Sequence, residues 1–192
     1  MRVLVACERS GVVREAFRRR GHVTWSCDVE PADDGSQFHF IADAQTVIAR
    51  YPWDLLIAFP PCTHLANSGA RWFPYKREEQ RKAVWFFRAL ANCAIPRIAI
   101  ENPVGIMSTV YRKPDQILQP WQFGHPEAKR TCLWLKGLPK LEPTNVLPKP
   151  ECGYWQNQTP SRQNKLGESK SRAKRRSQTY TGVAEAMAAQ WG

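Results

Sequence analysis

Short apolar runs that alternate with helical patterns constrain the fold of this 192-residue chain more than any other feature of its sequence. Six runs have the composition of buried strands: 3–6, 23–27, 38–41, 55–59, 97–100 and 131–135. Helical spacing of apolar residues covers four further segments: 11–20, 44–50, 76–92 and 183–189. Because parallel strands need crossovers of this kind, the alternation predicts an α/β domain with a largely parallel sheet.

Polar or reactive residues stand where the predicted strands end. The strand ends are Glu8 to Gly11, Asp28, Asp43, Pro60-Pro61-Cys62 and Glu101-Asn102. Open α/β sheets bind ligands beyond the carboxyl ends of their strands, at the point where the strand order reverses. The sequence therefore predicts one site built from these residues, with Ser10 as a cap of the first helix.

The first turn, which begins at Cys7, carries the single glycine Gly11. A dinucleotide needs a fuller glycine pattern, so this turn favours a cofactor without phosphates. Asp28 is placed to accept hydrogen bonds from ribose hydroxyls, and Asp43 from an exocyclic amine. Together these signals predict a nucleoside-bearing cofactor such as S-adenosylmethionine. For each acid the alternative is a helix cap or a loop carboxylate.

Cys62 follows two prolines at the end of the fourth predicted strand. Because the prolines fix the backbone before it, the thiol is held at little entropic cost and is expected to face the mouth of the cleft. A thiolate stabilised there by a positive charge or an amide dipole would be a strong nucleophile. The alternative is an inert thiol under a loop. The six cysteines form no CxxC pair, which argues against a zinc ribbon.

Glu101 and Asn102 end the next strand. A glutamate at the cleft edge can hydrogen-bond the ring nitrogen and amino group of a base, and a pKa raised by burial lets it supply a proton. Lys129 and Arg130 precede the run 131–135 and are candidates to hold a carbonyl oxygen or a phosphate. The alternative for this basic pair is a surface charge cluster.

The net charge of +11 predicts a polyanionic partner, most simply nucleic acid. Seven cations fall within 162–176: Arg162, Lys165, Lys170, Arg172, Lys174, Arg175 and Arg176. Tyr154 and Trp155 lie just upstream and could stack on bases, which favours contact with phosphates over a solvated segment.

At Pro60-Pro61-Cys62 and Glu101-Asn102 the chain resembles DNA (cytosine-5)-methyltransferases, especially the short single-domain type of phages and prophages. The matching stretches follow the family's order across nearly the whole chain: VLVACERSGVVREAFRRRGHVTWSCDVEP, DLLIAFPPCTHLANSG, AIENPVGIM, AKRTCLWLKGLP and RRSQTYTGVAEAMAAQWG. The Pro-Pro-Cys and Glu-Asn motifs in this order are fairly specific, and the first stretch is less so.

The resemblance implies a Rossmann-like S-adenosylmethionine-dependent methyltransferase sheet with helices on both faces. It implies that Cys62 adds to C6 of cytosine, that Glu101 contacts N3 and the 4-amino group, and that Lys129 or Arg130 contacts O2. The target base would leave the stack for this chemistry. The cofactor pocket would be lined by Cys7, Glu8, Ser10, Gly11, Asp28, Asp43 and Pro60, and Asn102 would belong to the catalytic set.

The chain departs from the family pattern at four points. The first motif lacks its usual phenylalanine and second glycine, Pro103 replaces the valine after Glu-Asn, and the Gln-x-Arg-x-Arg pattern is missing. Residues 1–138 plus 177–192 would form the catalytic domain. A basic, proline-rich insert at 139–176 would take the place of the target-recognition domain. Because that insert is short, sequence selectivity is expected to be low or supplied by a partner subunit.

Two other functions also fit the sequence. A pyrimidine C5 transferase acting on free nucleotide or another nucleic acid would keep Cys62 and Glu101. A catalytically silent DNA-binding homologue would keep only the fold. The N-terminus leads directly into a strand, and no apolar run reaches the length of a membrane span, so a cytoplasmic protein is expected. The oligomeric state stays open.

Overall fold

The computed structural model describes residues 1–161, 163, 165 and 178–192. These residues form a seven-stranded sheet of β1 Arg2–Ala6, β2 Val23–Asp28, β3 His39–Ile41, β4 Leu55–Ala58, β5 Arg97–Pro103, β6 Gln116–Leu118 and β7 Thr131–Lys136. The strand order is β3-β2-β1-β4-β5-β7-β6. Strands β1 to β5 are parallel, whereas β7 pairs antiparallel with both β5 and β6.

Helices cover both faces of this sheet. They are α1 Val12–Arg19, α2 Ala44–Arg50, α3 Arg77–Ala91, α4 Met107–Val110 and α5 Thr181–Trp191, with 3-10 helices at Asn67–Tyr75 and Pro120–Gln122. Strand β4 is buried on both sides, because Leu55 and Ile57 pack with α1 and α5 while Leu56 and Ala58 pack with α2, α3 and α4. This confirms the predicted α/β architecture with helices on both faces.

The prediction of a largely parallel sheet holds for β1 to β5. It does not hold for β7, which is antiparallel to both of its neighbours. Strand β6 was not predicted, because its three residues Gln116–Leu118 are too few to show a periodic pattern. The chain passes from β6 to β7 through residues 119–130 with only a single 3-10 turn. No crossover helix lies in that segment, so β7 can only return in the opposite direction.

Helix α5 closes the core against α1. Its last side chain, Trp191, is 2% exposed, and its indole N–H donates to the Pro139 carbonyl at 3.0 Å. This hydrogen bond anchors the beginning of the 139–176 segment on the core. Within the part of the chain that the structure describes, no helix is both long enough and apolar enough to cross a bilayer.

Replacement of Trp191 by alanine should lower the free energy of unfolding by about 3–5 kcal/mol, because it opens a cavity under α5. Trp85→Ala is the matched control. This tryptophan is 63% exposed, so its removal should change the free energy of unfolding by no more than about 0.5 kcal/mol. Urea denaturation of both variants measures the difference, and equal losses would contradict the assigned core.

Candidate active site

The carboxyl ends of β1 to β5 lie along one edge of the sheet. The strand order sets the predicted residues in a row there, in the order Asp43, Asp28, the turn 7–11, the Pro60–Cys62 segment and Glu101. Strand order reverses between β1 and β4, which is the position where α/β sheets bind ligands. The fold therefore gathers along one edge residues that are up to 94 positions apart in the sequence.

The turn after β1 has an unusual backbone. Cys7 has a φ of 59°, which is a left-handed conformation that costs free energy in a residue other than glycine. Burial raises the pKa of the Cys7 thiol well above its ordinary value. Cys7 is thus a strained, half-buried residue with a neutral thiol, and its backbone turns the chain from β1 towards α1.

Glu8, rather than Ser10, caps helix α1. The Glu8 carboxylate is 4% exposed and accepts hydrogen bonds from the amides of Val13 at 2.7 Å and Arg14 at 3.2 Å. The prediction for Ser10 was wrong because the residue at the N-cap position is Gly11, with a φ of 71°. The Ser10 hydroxyl makes two contacts of 3.4 Å, accepting from the Val12 amide and donating to the Glu8 carboxylate. Burial raises the pKa of Glu8 to about 7, against the lowering effect of the two amides.

Two arginines fasten the loop after β2 to this turn. The side chain of Arg14 is fully buried, donates to the Ser26 hydroxyl at 2.9 Å and forms an ion pair with Asp34. Arg9 forms an ion pair with Asp33 at 3.1 Å, and the Asp33 amide donates to the Arg9 carbonyl. A Cβ at Gly11 would overlap the Arg14 guanidinium. Sequence reasoning missed Arg14, although its place within an apolar helical stripe was a signal.

Asp28 and Asp43 each bind the backbone with one oxygen. Asp43 is the N-cap of α2 and accepts from the Gln45 amide at 2.9 Å through Oδ1. Asp28 accepts from the Glu30 amide at 3.0 Å, also through Oδ1. Because a carboxylate has about four acceptor positions, each acid keeps capacity for a ligand. Asp43 is therefore a helix cap, and both side chains retain an oxygen with which a ligand could be bound.

The Pro60–Cys62 segment is held by the end of β5. The Asn102 side chain is 1% exposed, and its Nδ2 donates to the Pro60 carbonyl at 2.8 Å. Pro60 is buried, Pro61 is exposed and Cys62 is half-buried. The Cys62 carbonyl accepts from the amides of Leu65 and Ala66, which turns the chain sharply after the thiol. Asn102 thus acts on the position of the thiol through the backbone of Pro60.

A second set of contacts joins the loops after Cys62 and Asn102. The Ile106 amide donates to the Leu65 carbonyl at 2.9 Å, and the Asn67 amide donates to the Val104 carbonyl at 3.1 Å. Ala66 and Gly105 form an isolated antiparallel bridge between these bonds. A Cβ at Gly105 would overlap the Leu65 carbonyl oxygen, so this close approach of two backbones requires glycine.

Glu101 and Lys129 line one cavity of about 30 Å³. The other lining residues are Phe59, Leu118, Pro120, Thr131, Thr179, Tyr180, Val183 and Met187. Burial raises the pKa of Glu101, whereas the charge of Lys129 and a hydrogen bond from Thr131 lower it. Cys62, Asn102 and Arg130 do not line this cavity, although Asn102 adjoins Glu101 and Cys62 follows the lining residue Phe59 by three positions.

Lys129, rather than Arg130, is the cation of the cavity. Arg130 is exposed, while the Lys129 ammonium lies 5.6 Å from the centre of the Tyr180 ring. The Tyr180 hydroxyl donates to Glu127, and this contact together with burial raises its pKa. Tyr180 therefore joins the beginning of α5 to the segment that carries Lys129. Sequence reasoning missed Tyr180 as a site residue, because a lone tyrosine before a helix carries no signal of its own.

The insert contacts the same segment. The Asn157 side chain donates to the Ala128 carbonyl at 2.9 Å and accepts from the Ala128 amide at 3.0 Å. Trp155, predicted to stack on bases, lies parallel to Trp121 with ring centres 5.8 Å apart. Of the seven predicted nucleic-acid contacts only Lys165 is described, with its ammonium 6.0 Å from the Tyr154 ring centre. The other six lie outside the described residues: Arg162, Lys170, Arg172, Lys174, Arg175 and Arg176.

Gly105→Ala should destabilise the protein by about 1–3 kcal/mol, because a methyl group has no room against the Leu65 carbonyl. Relief of the overlap would push the loop after Cys62 away from β5. Thermal unfolding followed by circular dichroism measures the loss. A variant that melts at the wild-type temperature would mean that the two loops separate freely.

Solved structures share this fold. A protein of an E. coli prophage, named as a DNA modification methyltransferase, matches with a TM-score of 0.54 and 15% identity over 77% of this chain and 52% of its own. The Entamoeba histolytica methyltransferase EhMeth matches with a TM-score of 0.54 and 14% identity over 77% of this chain and 57% of its own. This chain thus spans little more than half the length of either. No family model and no curated protein matches. The chain shares the fold of these two proteins, a Rossmann-like sheet with helices on both faces.

Proposed function

We propose that this protein transfers a methyl group from S-adenosylmethionine to C5 of cytosine in DNA, through a covalent adduct with Cys62. The observation that carries the proposal is the hydrogen bond from Asn102 to the Pro60 carbonyl. It holds the Pro60–Cys62 segment against the end of β5, whose Glu101 lines a cavity together with Lys129. A nucleophile, an acid and a cation at one sheet edge suit an attack on a polarised pyrimidine.

Glu101 has the environment needed to recognise cytosine. Burial favours its neutral form, and a neutral carboxyl group presents one donor and one acceptor. Cytosine N3 is an acceptor and the 4-amino group is a donor, so the two edges are complementary. Lys129, which lines the same cavity, would hold the O2 oxygen and stabilise negative charge that develops on the ring.

Cys62 would carry the covalent step. Its sulfur would add to C6, and the electron pair of the C5–C6 double bond would move to C5 and, through C4, to N3, which Glu101 protonates. C5 would then be nucleophilic enough to take the methyl group, and the donor would leave as S-adenosylhomocysteine after its bond from sulfur to that methyl group breaks. Loss of the C5 proton to a base restores the C5–C6 double bond and expels the sulfur as thiolate, so the enzyme returns to its starting state.

The row of strand ends fits the proposed cofactor. Asp28 and Asp43 keep acceptor capacity for the hydroxyl and amino groups of a nucleoside, and the turn 7–11 lies at the reversal of strand order. Oδ1 of Asn102 is buried and has no hydrogen-bond partner among the described residues, which suits a ligand donor. S-adenosylmethionine bound there would supply the electrophilic methyl group.

The cavity also limits how the base enters. About 30 Å³ holds one water molecule and no pyrimidine ring. Lys129 and Tyr180 would have to turn outward to admit a base that has left the stack. The insert at 139–176 is short for a recognition domain. Selectivity would therefore be low or come from a partner subunit.

Cys62→Ser should abolish covalent trapping on DNA that contains 5-fluorocytosine and should lower methyl transfer by roughly 10³-fold or more. Fluorine cannot leave C5 as a proton does, so the wild-type adduct persists in the presence of the cofactor and is visible by denaturing electrophoresis. Cys152→Ser, which removes an exposed thiol, is the control and should trap normally.

Three results would overturn the proposal in different ways. Methyl transfer unchanged in Cys62→Ser would remove the nucleophile assignment. Preferred transfer to free cytidine nucleotides would replace DNA as the acceptor. DNA binding without cofactor binding or methyl transfer would favour a catalytically silent DNA-binding protein.

Lys129→Met should lower kcat by about 10- to 100-fold and shift the alkaline limb of its pH profile to higher pH. Catalysis would need Glu101 protonated, so the rate falls as pH rises through the pKa of Glu101. The charge of Lys129 lowers that pKa, and its removal keeps the carboxyl neutral to a higher pH. Arg130→Met should leave the limb in place. A limb that moves to lower pH in Lys129→Met would contradict the assignment.

A further inference from the structure

A further group of basic residues, separate in the sequence from the 162–176 segment, lies on the surface of the molecule. It consists of the 3-10 helix Asn67–Tyr75 and the exposed face of α3, and we call it the α3 surface. Its cations are Arg71, Lys76, Arg77 and Arg81, all exposed. Among the described residues, none of the four has a carboxylate within 4 Å. Glu78, the nearest acid in sequence on α3, is instead paired with Lys82.

Exposed aromatic rings share this surface with the cations. Trp72 is 52% exposed, Tyr75 is 81% exposed and Trp85 is 63% exposed. Several large exposed aromatic side chains on one surface are typical of an interaction site, whereas single exposed ones are ordinary. The Arg71 guanidinium lies 5.0 Å from the centre of the Trp72 ring, which leaves the ring beside a positive charge. Cations interleaved with open aromatic rings suit a strand with phosphates and unpaired bases.

Arg77 and Arg81 converge on a shallow cleft. They are four residues apart on α3, so they project from the same face of the helix. Phe73 and Pro74 form the apolar wall of this cleft, whose volume is about 500 Å³. A cleft with two guanidinium groups on one wall and an aromatic ring on the other has the chemistry to hold a phosphate and an adjacent sugar or base.

The α3 surface is fastened to the Cys62 loop. The Gln80 side chain, on the same turn of α3 as Arg77 and Arg81, donates to the His64 carbonyl at 3.1 Å. His64 stands two residues after Cys62. A strand that contacts the cleft would therefore lie next to the loop that carries the thiol.

We propose that the α3 surface binds the DNA strand next to the target cytosine, with Arg77 and Arg81 on phosphates and Trp85 on an unpaired base. This inference rests on the proposed acceptor, DNA. It gives the chain a second contact with the strand besides the 139–176 insert. From Arg77 to Trp85 the helix rises about 12 Å, the length of three to four nucleotides of one strand.

Binding of a fluorescent DNA oligonucleotide to the full chain, measured against salt concentration without cofactor, tests the surface. The double variant Arg77→Gln/Arg81→Gln should weaken binding by roughly tenfold and reduce the slope of log K against log salt by about 2. Arg20→Gln/Arg50→Gln is the matched control. It removes two exposed cations at the ends of α1 and α2 that lie at the opposite edge of the sheet, and should leave the slope unchanged.

Trp85→Ala should weaken binding to single-stranded DNA by about fivefold and to duplex DNA by less, because only an unpaired base can stack on the ring. Equal salt slopes for the arginine variant and its control would contradict the assignment of the α3 surface as a DNA-binding site. Unchanged single-strand affinity of Trp85→Ala would overturn the stacking contact. Tighter binding to RNA of the same sequence would overturn the assignment to DNA.

The same measurements separate this surface from the proposed reaction. DNA binding that depends on Arg77 and Arg81, in a chain that transfers no methyl group, would support the surface and remove the proposed chemistry. Methyl transfer to DNA, with a DNA affinity that does not change when both arginines are replaced, would contradict the role of the α3 surface. The proposed reaction would then still stand.

Discussion

The hydrogen bond from Asn102 to the Pro60 carbonyl is the contact on which the candidate site depends. It exists because β4 and β5 are parallel neighbours whose register pairs Ala58 with Ile100. Pro60 and Asn102, each two residues further along, therefore lie at the same height. Buried polar groups of this kind are costly when unpaired. The interaction therefore fixes the Pro60–Cys62 segment far more tightly than a surface contact would.

The backbone bridge between Ala66 and Gly105 reinforces this arrangement. With no side chain at Gly105, the loop after Cys62 can lie directly against the loop after Asn102. Two loops that would otherwise move independently become one unit, and the 3-10 helix and α3 extend from it. The thiol, the cavity of Glu101 and the α3 surface are consequently parts of one connected frame rather than separate features.

The part of the sheet edge formed by β1 and β2 is held together by the hydrogen bonds and the ion pair of a buried arginine. Arg14 is wholly buried, and its bonds to Ser26 and Asp34 tie α1, β2 and the loop after β2 together. Such a guanidinium is stable in the interior only with partners around it. Glu8, turned back onto α1, uses its carboxylate to satisfy helix amides. The first turn is therefore rigid, which suits a surface against which a flat ligand packs.

Much of this could be predicted from the sequence, for a specific reason. The strands β1, β2, β4 and β5 are continuous apolar runs ended by turn residues, and the helix α3 has a regular apolar stripe, so local pattern and burial agree. The short strand β6, the cap Glu8 and the antiparallel course of β7 could not be predicted, because each depends on partners distant in the chain. Cys62, Glu101 and Asn102 were predicted as site residues because they stand at strand ends, where α/β sheets bind their ligands.

The sequence by itself determined the layered α/β architecture and the residue types at each strand end, because burial and turn chemistry act over a few residues. The tertiary structure alone decided which of those residues meet. It set Lys129 rather than Arg130 in the cavity, brought Tyr180 beside it from the far end of the chain, and made Asn102 a support for Pro60. Such choices depend on strand register and on the close approach of backbones, which no local pattern in a chain encodes.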